Sequence, residues 1–178
     1  MDDEYRSEKE EEGTDRLQDA DVKMAFMDAL PVAFFAAGSA VIARRFHNRL
    51  FRCGAALAAL SGSLKVLWKF LLLAKKKDIP LLNRQMKYGM HAGFSLMSAG
   101  VFEDWKKIPV RRLLRTAAGM PQGLFFLGGC AGMGFMTYFA KNMDHGKASS
   151  NWLEQTVNTA AQGAFLAGTI LTARKMDK

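Results

Sequence analysis

The stretch TAAGMPQGLFFLGGCAGMGFMTYFA, residues 116–140, contains 25 consecutive positions without a charged side chain. A transmembrane helix needs roughly 20 mostly apolar residues to cross about 30 Å of hydrocarbon. The stretch therefore predicts a membrane-spanning helix and places the chain among integral membrane proteins. Pro121 lies near its start, where a helix tolerates a residue that lacks a backbone N–H.

Four further apolar runs resemble it, and together they predict an all-α, membrane-embedded helical bundle. We expect four firm transmembrane helices plus a short fifth helix, because one run is only 15 residues long, which is typical of a re-entrant or interfacial segment. A basic amphipathic stretch, residues 106–116, is expected to lie on the headgroup layer. The five runs are 24–43, 50–74, 88–102 (the short one), 116–140 and 153–173.

Residues 1–23 differ sharply in composition from the rest of the chain. They hold ten acidic and four basic residues, whereas residues 24–178 hold seven acidic and 21 basic residues. So few apolar residues predict a disordered acidic tail, followed by a membrane-embedded domain over residues 24–178. The acidic start also argues against a secretory signal or a mitochondrial transit peptide.

The basic residues of the membrane domain flank the apolar runs, which favours contact with anionic lipid headgroups over binding of nucleic acid. The expected lipid-binding residues lie in two groups, Lys75, Lys76 and Lys77, and Arg111, Arg112 and Arg115. Cys53 and Cys130 lie inside apolar runs and are expected to be small buried apolar residues rather than a disulfide or a metal pair.

The distribution of basic residues favours one topology. If all five runs cross the membrane, the two sides carry 11 and 12 basic residues, which is a tie. If residues 88–102 do not cross, the counts become 17 and 6, with both termini on the basic, cytoplasmic side. We therefore expect a multi-pass protein with both termini in the cytoplasm. The five-span alternative with insertion in both orientations would build antiparallel dimers.

Small residues spaced four apart recur in every run, as in Gly54/Ala58/Gly62, Gly89/Gly93 and Gly128/Gly132. Such faces let helix backbones approach closely in lipid. They predict a tightly packed bundle and a homo-oligomer, although packing within one chain would also account for them.

Asp28 is the strongest candidate for a functional ionisable group, because charges within hydrocarbon are costly and often functional. It lies three residues before Pro31, which frees a backbone carbonyl about one turn upstream. The alternative is a helix cap. Lys65 and Lys69 could face a water-filled cavity and bind an anionic group, or they could extend to the interface beside Trp68. An ion pair of Lys65 with Asp28 is geometrically possible.

Further polar residues complete a predicted ion or solute path. His91 is the only histidine within an apolar run, and packing is its simpler role. Gln155, Asn158 and Gln162 share one face of the last helix with Thr159 and Thr169, where they would line a pore or join neighbouring helices.

The enzyme motifs GxSxG, HExxH, GxxxxGK[ST] and CxxC are absent, so an enzyme acting on lipid is the least favoured class, and we expect no cofactor and no metal. The leading hypothesis is an oligomeric channel or transporter for an ion or small solute. The alternative is a non-transporting assembly or lipid-organising subunit that binds anionic lipid or partner helices.

Overall fold

The computed structural model describes residues 22–75, 78–143 and 148–177, within which the chain is helical and has no β-strand. The acidic tail predicted for residues 1–23 lies almost wholly outside this range. The helices are α1 (Val22–Arg45), α2 (Arg49–Lys75), α3 (Pro80–Glu103), α4 (Val110–Ala118), α5 (Gln122–Asn142) and α6 (Ala148–Met176), with a 3-10 turn at Trp105–Lys107.

The five long helices lie side by side in the order α3, α2, α1, α6, α5, and the short α4 packs against α5 and α6. Two contacts fix the helix directions at one end of this row. Arg45, at the end of α1, forms an ion pair with Asp177 beyond α6, and Asn48 donates a hydrogen bond of 2.8 Å to Glu103 at the end of α3. Neighbouring helices are therefore antiparallel, except that α1 and α6, whose C-terminal ends meet at Arg45 and Asp177, run parallel. The start of α1 and the end of α6 lie at opposite ends of the bundle.

Three of the described helices are long and apolar enough to cross a membrane, namely α1, α2 and α5. Large apolar side chains on their outer faces are exposed, including Phe26 (61%), Leu127 (68%) and Phe135 (58%). Outward-facing apolar side chains are unfavourable in water and are typical of helices that contact lipid. Their length, composition and exposure all fit a membrane protein.

The prediction of four firm spans is confirmed only for these three helices. The run 153–173 does form a helix, α6, of 29 residues. However, α6 does not reach the hydropathy of the other three, because amide, hydroxyl and charged side chains interrupt its apolar sequence.

The predicted short element at 88–102 is wrong in length, since α3 covers 24 residues. Its first two turns carry Arg84 and Lys87, so the apolar run starts eight residues after the helix does. Close packing along α2 supports this extra length.

The stretch 116–140 is also not one helix. It is divided at Gly119, Met120 and Pro121, where α4 ends and α5 begins. Proline supplies no backbone N–H and disfavours helical geometry in the residue before it. The amphipathic stretch predicted at 106–116 forms the 3-10 turn and most of α4.

Glycine allows the closest helix contact in the structure, between α2 and α3. A Cβ added to Gly54 would lie 2.5 Å from the carbonyl oxygen of Gly93, and one added to Gly93 would lie 2.8 Å from the Cβ of Ala58. These positions leave no room for a side chain, so backbone packs on backbone. The predicted small-residue faces at 54/58 and 89/93 therefore pack against each other within one chain, whereas Gly128 has no atom within 4 Å of an added Cβ.

Pro31 lies inside α1, which continues through it. The proline removes the hydrogen bond that the carbonyl of Met27 would otherwise accept within the helix. The hydroxyl of Thr159 on α6 points to that carbonyl oxygen at 3.5 Å, a long hydrogen bond. A neighbouring helix thus partly satisfies the freed carbonyl, as is usual where proline interrupts a membrane helix.

Candidate functional site

Asp28 and Lys69 form a buried ion pair between α1 and α2. The side chain of Asp28 is 8% exposed and that of Lys69 is 17% exposed. Burying two charges is costly even when they are paired, and apolar residues often fill such a place with equal or greater stability. Stability alone therefore does not explain this ion pair, and its presence within two apolar helices favours a functional role.

Two further charges belong to this region. The ammonium group of Lys65, one turn before Lys69 on α2, is within electrostatic range of Lys69, of Asp28 and, most weakly, of Glu154. Glu154 belongs to the first part of α6, so the group joins three helices. The two carboxylates and two ammonium groups balance in formal charge. We refer to Asp28, Lys65, Lys69 and Glu154 as the charged quartet.

The helix directions explain why these residues meet. Asp28 lies near the start of α1, Lys65 and Lys69 lie in the second half of α2, and Glu154 lies near the start of α6. Because α2 is antiparallel to both α1 and α6, these three segments occupy the same end of the bundle. The quartet therefore lies nearer to the end where α1 begins than to the end where α6 finishes.

The site predicted from sequence is only partly assembled. Asp28 and Lys65 do lie close together, but the ion pair of Asp28 is with Lys69 rather than with Lys65. His91 is exposed on α3, with its Nδ1 2.5 Å from the carbonyl oxygen of Lys87, and the described contacts do not join it to the quartet.

The polar face of α6 is half-buried at Gln155, Asn158 and Gln162. Gln162 lies on the α5 side, where its Nε2 is 3.9 Å from the sulfur of Met133, a weak acceptor. Thr159 lies on the α1 side. The face therefore lies between the two neighbours of α6, as expected for polar groups that join helices, and it begins one residue after Glu154.

The predicted lipid-binding residues lie at opposite ends of the bundle. Lys75 ends α2, while Lys76 and Lys77 lie outside the described residues. Arg111, Arg112 and Arg115 are exposed on α4. Arg112 donates a hydrogen bond of 3.3 Å to the carbonyl oxygen of Met176, so α4 is fastened to the end of α6.

The chemistry available to the quartet is proton exchange and the binding of small ions, because carboxylates and ammonium groups are its only ionisable groups. In residues 22–75, 78–143 and 148–177, no three His, Cys, Asp or Glu residues come together as a metal site would require. Cys53 and Cys130 are both exposed, which differs from the buried role expected of them and fits side chains that face lipid.

Sequence reasoning placed Lys69 beside Lys65 on one helix face but did not pair it with Asp28, and it missed Glu154 as a member of the site. Glu154 lies just before the polar face of α6, and nothing in its local sequence indicates burial. A second missed feature is the hydrogen bond of 2.8 Å from the indole N–H of Trp68 to Asp78, which joins the end of α2 to the segment before α3.

Comparison with known proteins adds no relative, since no family model, no curated protein and no solved structure matches this chain.

Proposed function

We propose that this protein transports a small ion across a membrane, with the charged quartet as the ion-binding site and the proton as the ion. The observation that carries the proposal is the buried Asp28–Lys69 pair within two apolar helices. Ionisable groups in such segments are costly, and proton relays are one of the few uses that explain their retention. A proton moving through the quartet would change the protonation of Asp28 or Glu154 and release the neighbouring ammonium group.

A homo-oligomer belongs to this proposal for a geometric reason. The helices form one open row, and the outer helices α3 and α5 have no extensive contact with each other. One row does not enclose a path, so a second copy would supply the other wall. Native mass spectra in mild detergent should then show a discrete oligomer, whereas a monomer at all concentrations would remove this part of the proposal.

These helix directions also support a specific topology, in which all five long helices cross, and the start of α1 and the end of α6 lie on opposite sides. This departs from the expectation of two cytoplasmic termini, which required one run not to cross. With five crossings, the two sides carry 11 and 12 basic residues. Such a tie favours neither orientation, so we infer insertion in both. Reporter fusions at both termini test it: opposite sides in each molecule support the topology, and a shared side contradicts it.

Proton flux in proteoliposomes is the test of transport. Vesicles loaded with potassium and treated with valinomycin develop a negative interior, and a pH-sensitive dye reports proton entry. We expect the wild type to exceed protein-free vesicles at least tenfold, and Asp28→Asn to lose most of that flux. Asp177→Asn makes the same chemical change in an exposed ion pair and should leave the flux unchanged. A wild-type flux equal to that of empty vesicles would end the proposal.

A second candidate function, a lipid-organising or assembly subunit, is favoured by α4. Its three arginines are exposed beside Leu114, which is 63% exposed, as in helices that lie in the headgroup layer. Phosphatidylglycerol should then raise the melting temperature of the wild type more than phosphatidylcholine does. Changing Arg111, Arg112 and Arg115 to Gln should abolish this difference; a difference that persists would remove α4 from the explanation.

A further inference from the structure

An apolar groove of about 490 Å³ opens on the outer face of the bundle between α2 and α3. Leu57, Leu60 and Leu64 line it along α2, and Leu81 and Tyr88 line it along α3. Binding sites for small molecules are commonly about 300–1,000 Å³ and mostly apolar, with a few polar groups that orient the ligand. The groove has this character, and it is separate from the charged quartet.

Ser61, Gln85 and Arg84 also line the groove, and Arg84 is the charged residue among them. Its side chain lines the groove and is exposed, and no hydrogen bond or ion pair joins it to the described residues. It lies one turn after Pro80, the first residue of α3, which is about 6 Å along the helix. Asp78, two residues before Pro80, accepts a hydrogen bond from Trp68, which joins the start of α3 to α2.

The sequence of α3 indicates the depth of Arg84 in the membrane. The first two turns of α3 carry Arg84 and Lys87, whereas its remaining turns are mainly apolar. The polar turns suit the headgroup region, and an arginine side chain extends readily toward it. Leu57, Leu60 and Leu64 belong to the apolar span of α2 and therefore lie in the hydrocarbon. Gln85, the next residue, donates a hydrogen bond of 3.0 Å to the carbonyl oxygen of Ser61 within the α2 span, so the backbone of Arg84 lies beside that span and its long side chain extends from there toward the headgroups.

Tyr88 lies one turn after Arg84 on the same face of α3, and it is 76% exposed. Tyrosine is enriched at membrane interfaces, because its ring is apolar and its hydroxyl is a hydrogen-bond donor and acceptor. A guanidinium group forms two parallel hydrogen bonds with a phosphate, a geometry that an ammonium group does not reproduce. Arg84 and Tyr88 together therefore match a phosphate and the polar linkage beside it.

We propose that this groove binds one anionic glycerophospholipid, with the phosphate on Arg84 and an acyl chain along Leu57, Leu60 and Leu64. Charge complementarity and the apolar lining decide for a lipid over a free anion or a second protein. The proposal does not depend on ion transport. It also differs from lipid binding by α4, because α4 lies at the opposite end of the bundle.

Native mass spectrometry of the full chain, titrated with phosphatidylglycerol or phosphatidylcholine, tests the proposal. We expect one phosphatidylglycerol to bind with preference, and Arg84→Gln to weaken it about tenfold, the loss expected for a hydrogen bond to a charged group. Lys87→Gln is the matched control, since it removes an exposed cation from the same helix without changing the groove.

Leu60→Trp is the second variant, because it fills the groove at a side chain that is already 56% exposed and leaves Arg84 in place. It should weaken both lipids. Equal losses from Arg84→Gln and Lys87→Gln would show a general effect of positive charge and overturn the proposal. So would unchanged affinity in Arg84→Gln, or a stable dimer that covers Leu60 and binds no lipid.

Discussion

Asp28→Asn should destabilise the bundle strongly, and the same change combined with Lys69→Gln should not. The single change leaves the ammonium groups of Lys65 and Lys69 facing one carboxylate, that of Glu154, so the quartet carries one net positive charge. Breaking a buried ion pair costs about 3–5 kcal/mol when the remaining charge stays buried. Lys69 is 17% exposed and can extend toward water, which lowers the expected cost to about 2–4 kcal/mol.

The double variant Asp28→Asn with Lys69→Gln restores the charge balance of the quartet. Amides replace both charges, and well-packed uncharged replacements of buried pairs are often close to neutral. We therefore expect a coupling energy of at least about 2 kcal/mol between the two positions. The assay is equilibrium unfolding in mixed detergent micelles, followed by the fluorescence of Trp68, which is 7% exposed and adjacent to Lys69.

The control is the same comparison of single and double variants at Arg45 and Asp177, whose side chains are 36% and 66% exposed. Exposed pairs contribute about 0–1 kcal/mol, so the control coupling should be smaller than that of Asp28 and Lys69. Additive effects at Asp28 and Lys69 would refute the reasoning, because they would mean that the two charges do not depend on each other.

Changes at four further positions test the packing and the helix ends. Gly54→Ala should cost about 1–3 kcal/mol, because its Cβ meets the backbone of α3, whereas Gly128→Ala faces open space and should stabilise by about 0.5–1 kcal/mol; thermal melting separates the signs. Asn48→Asp keeps the cap of α2 but places a carboxylate against that of Asp104. Because the two carboxylates repel each other, the melting temperature of Asn48→Asp should be lower than that of Asn48→Ser. Hydrogen bonds from Lys107 and then Asn48 hold the pKa of Asp104 below its ordinary 3.8. The stability that Asp104 contributes is therefore full above about pH 4 and is lost as pH falls through the lowered pKa. The melting temperatures of Asp104→Asn and the wild type should become equal only in that acidic range. Equal melting temperatures near neutral pH would contradict the assignment.

The sequence predicted the ends of α1 and α2 better than those of the other helices. The run 24–43 became α1 with ends within two residues, because this helix is apolar along nearly all of its length. Residues 80–87 were not expected in a helix, because their polar side chains resemble a loop. They pack against α2 at Gln85, whose side-chain amide donates a hydrogen bond of 3.0 Å to the carbonyl oxygen of Ser61, and the local sequence does not reveal that contact.

The candidate site was predicted at Asp28 but not in its pairing. Lys65 and Lys69 are one turn apart on α2, so the choice between them depends on how far α2 is shifted along α1. That shift is set by side-chain packing such as Val32 against Gly62. Glu154 was missed for a related reason, since its burial depends on how α6 packs in the bundle.

The claim that the quartet serves transport is tested most directly by measuring proton flux and stability on the same double variant, Asp28→Asn with Lys69→Gln. The account predicts that its stability is close to that of the wild type while the voltage-driven proton flux falls to the level of empty vesicles. A double variant that is stable and transports protons as well as the wild type would contradict the account, because the pair would then be dispensable for transport.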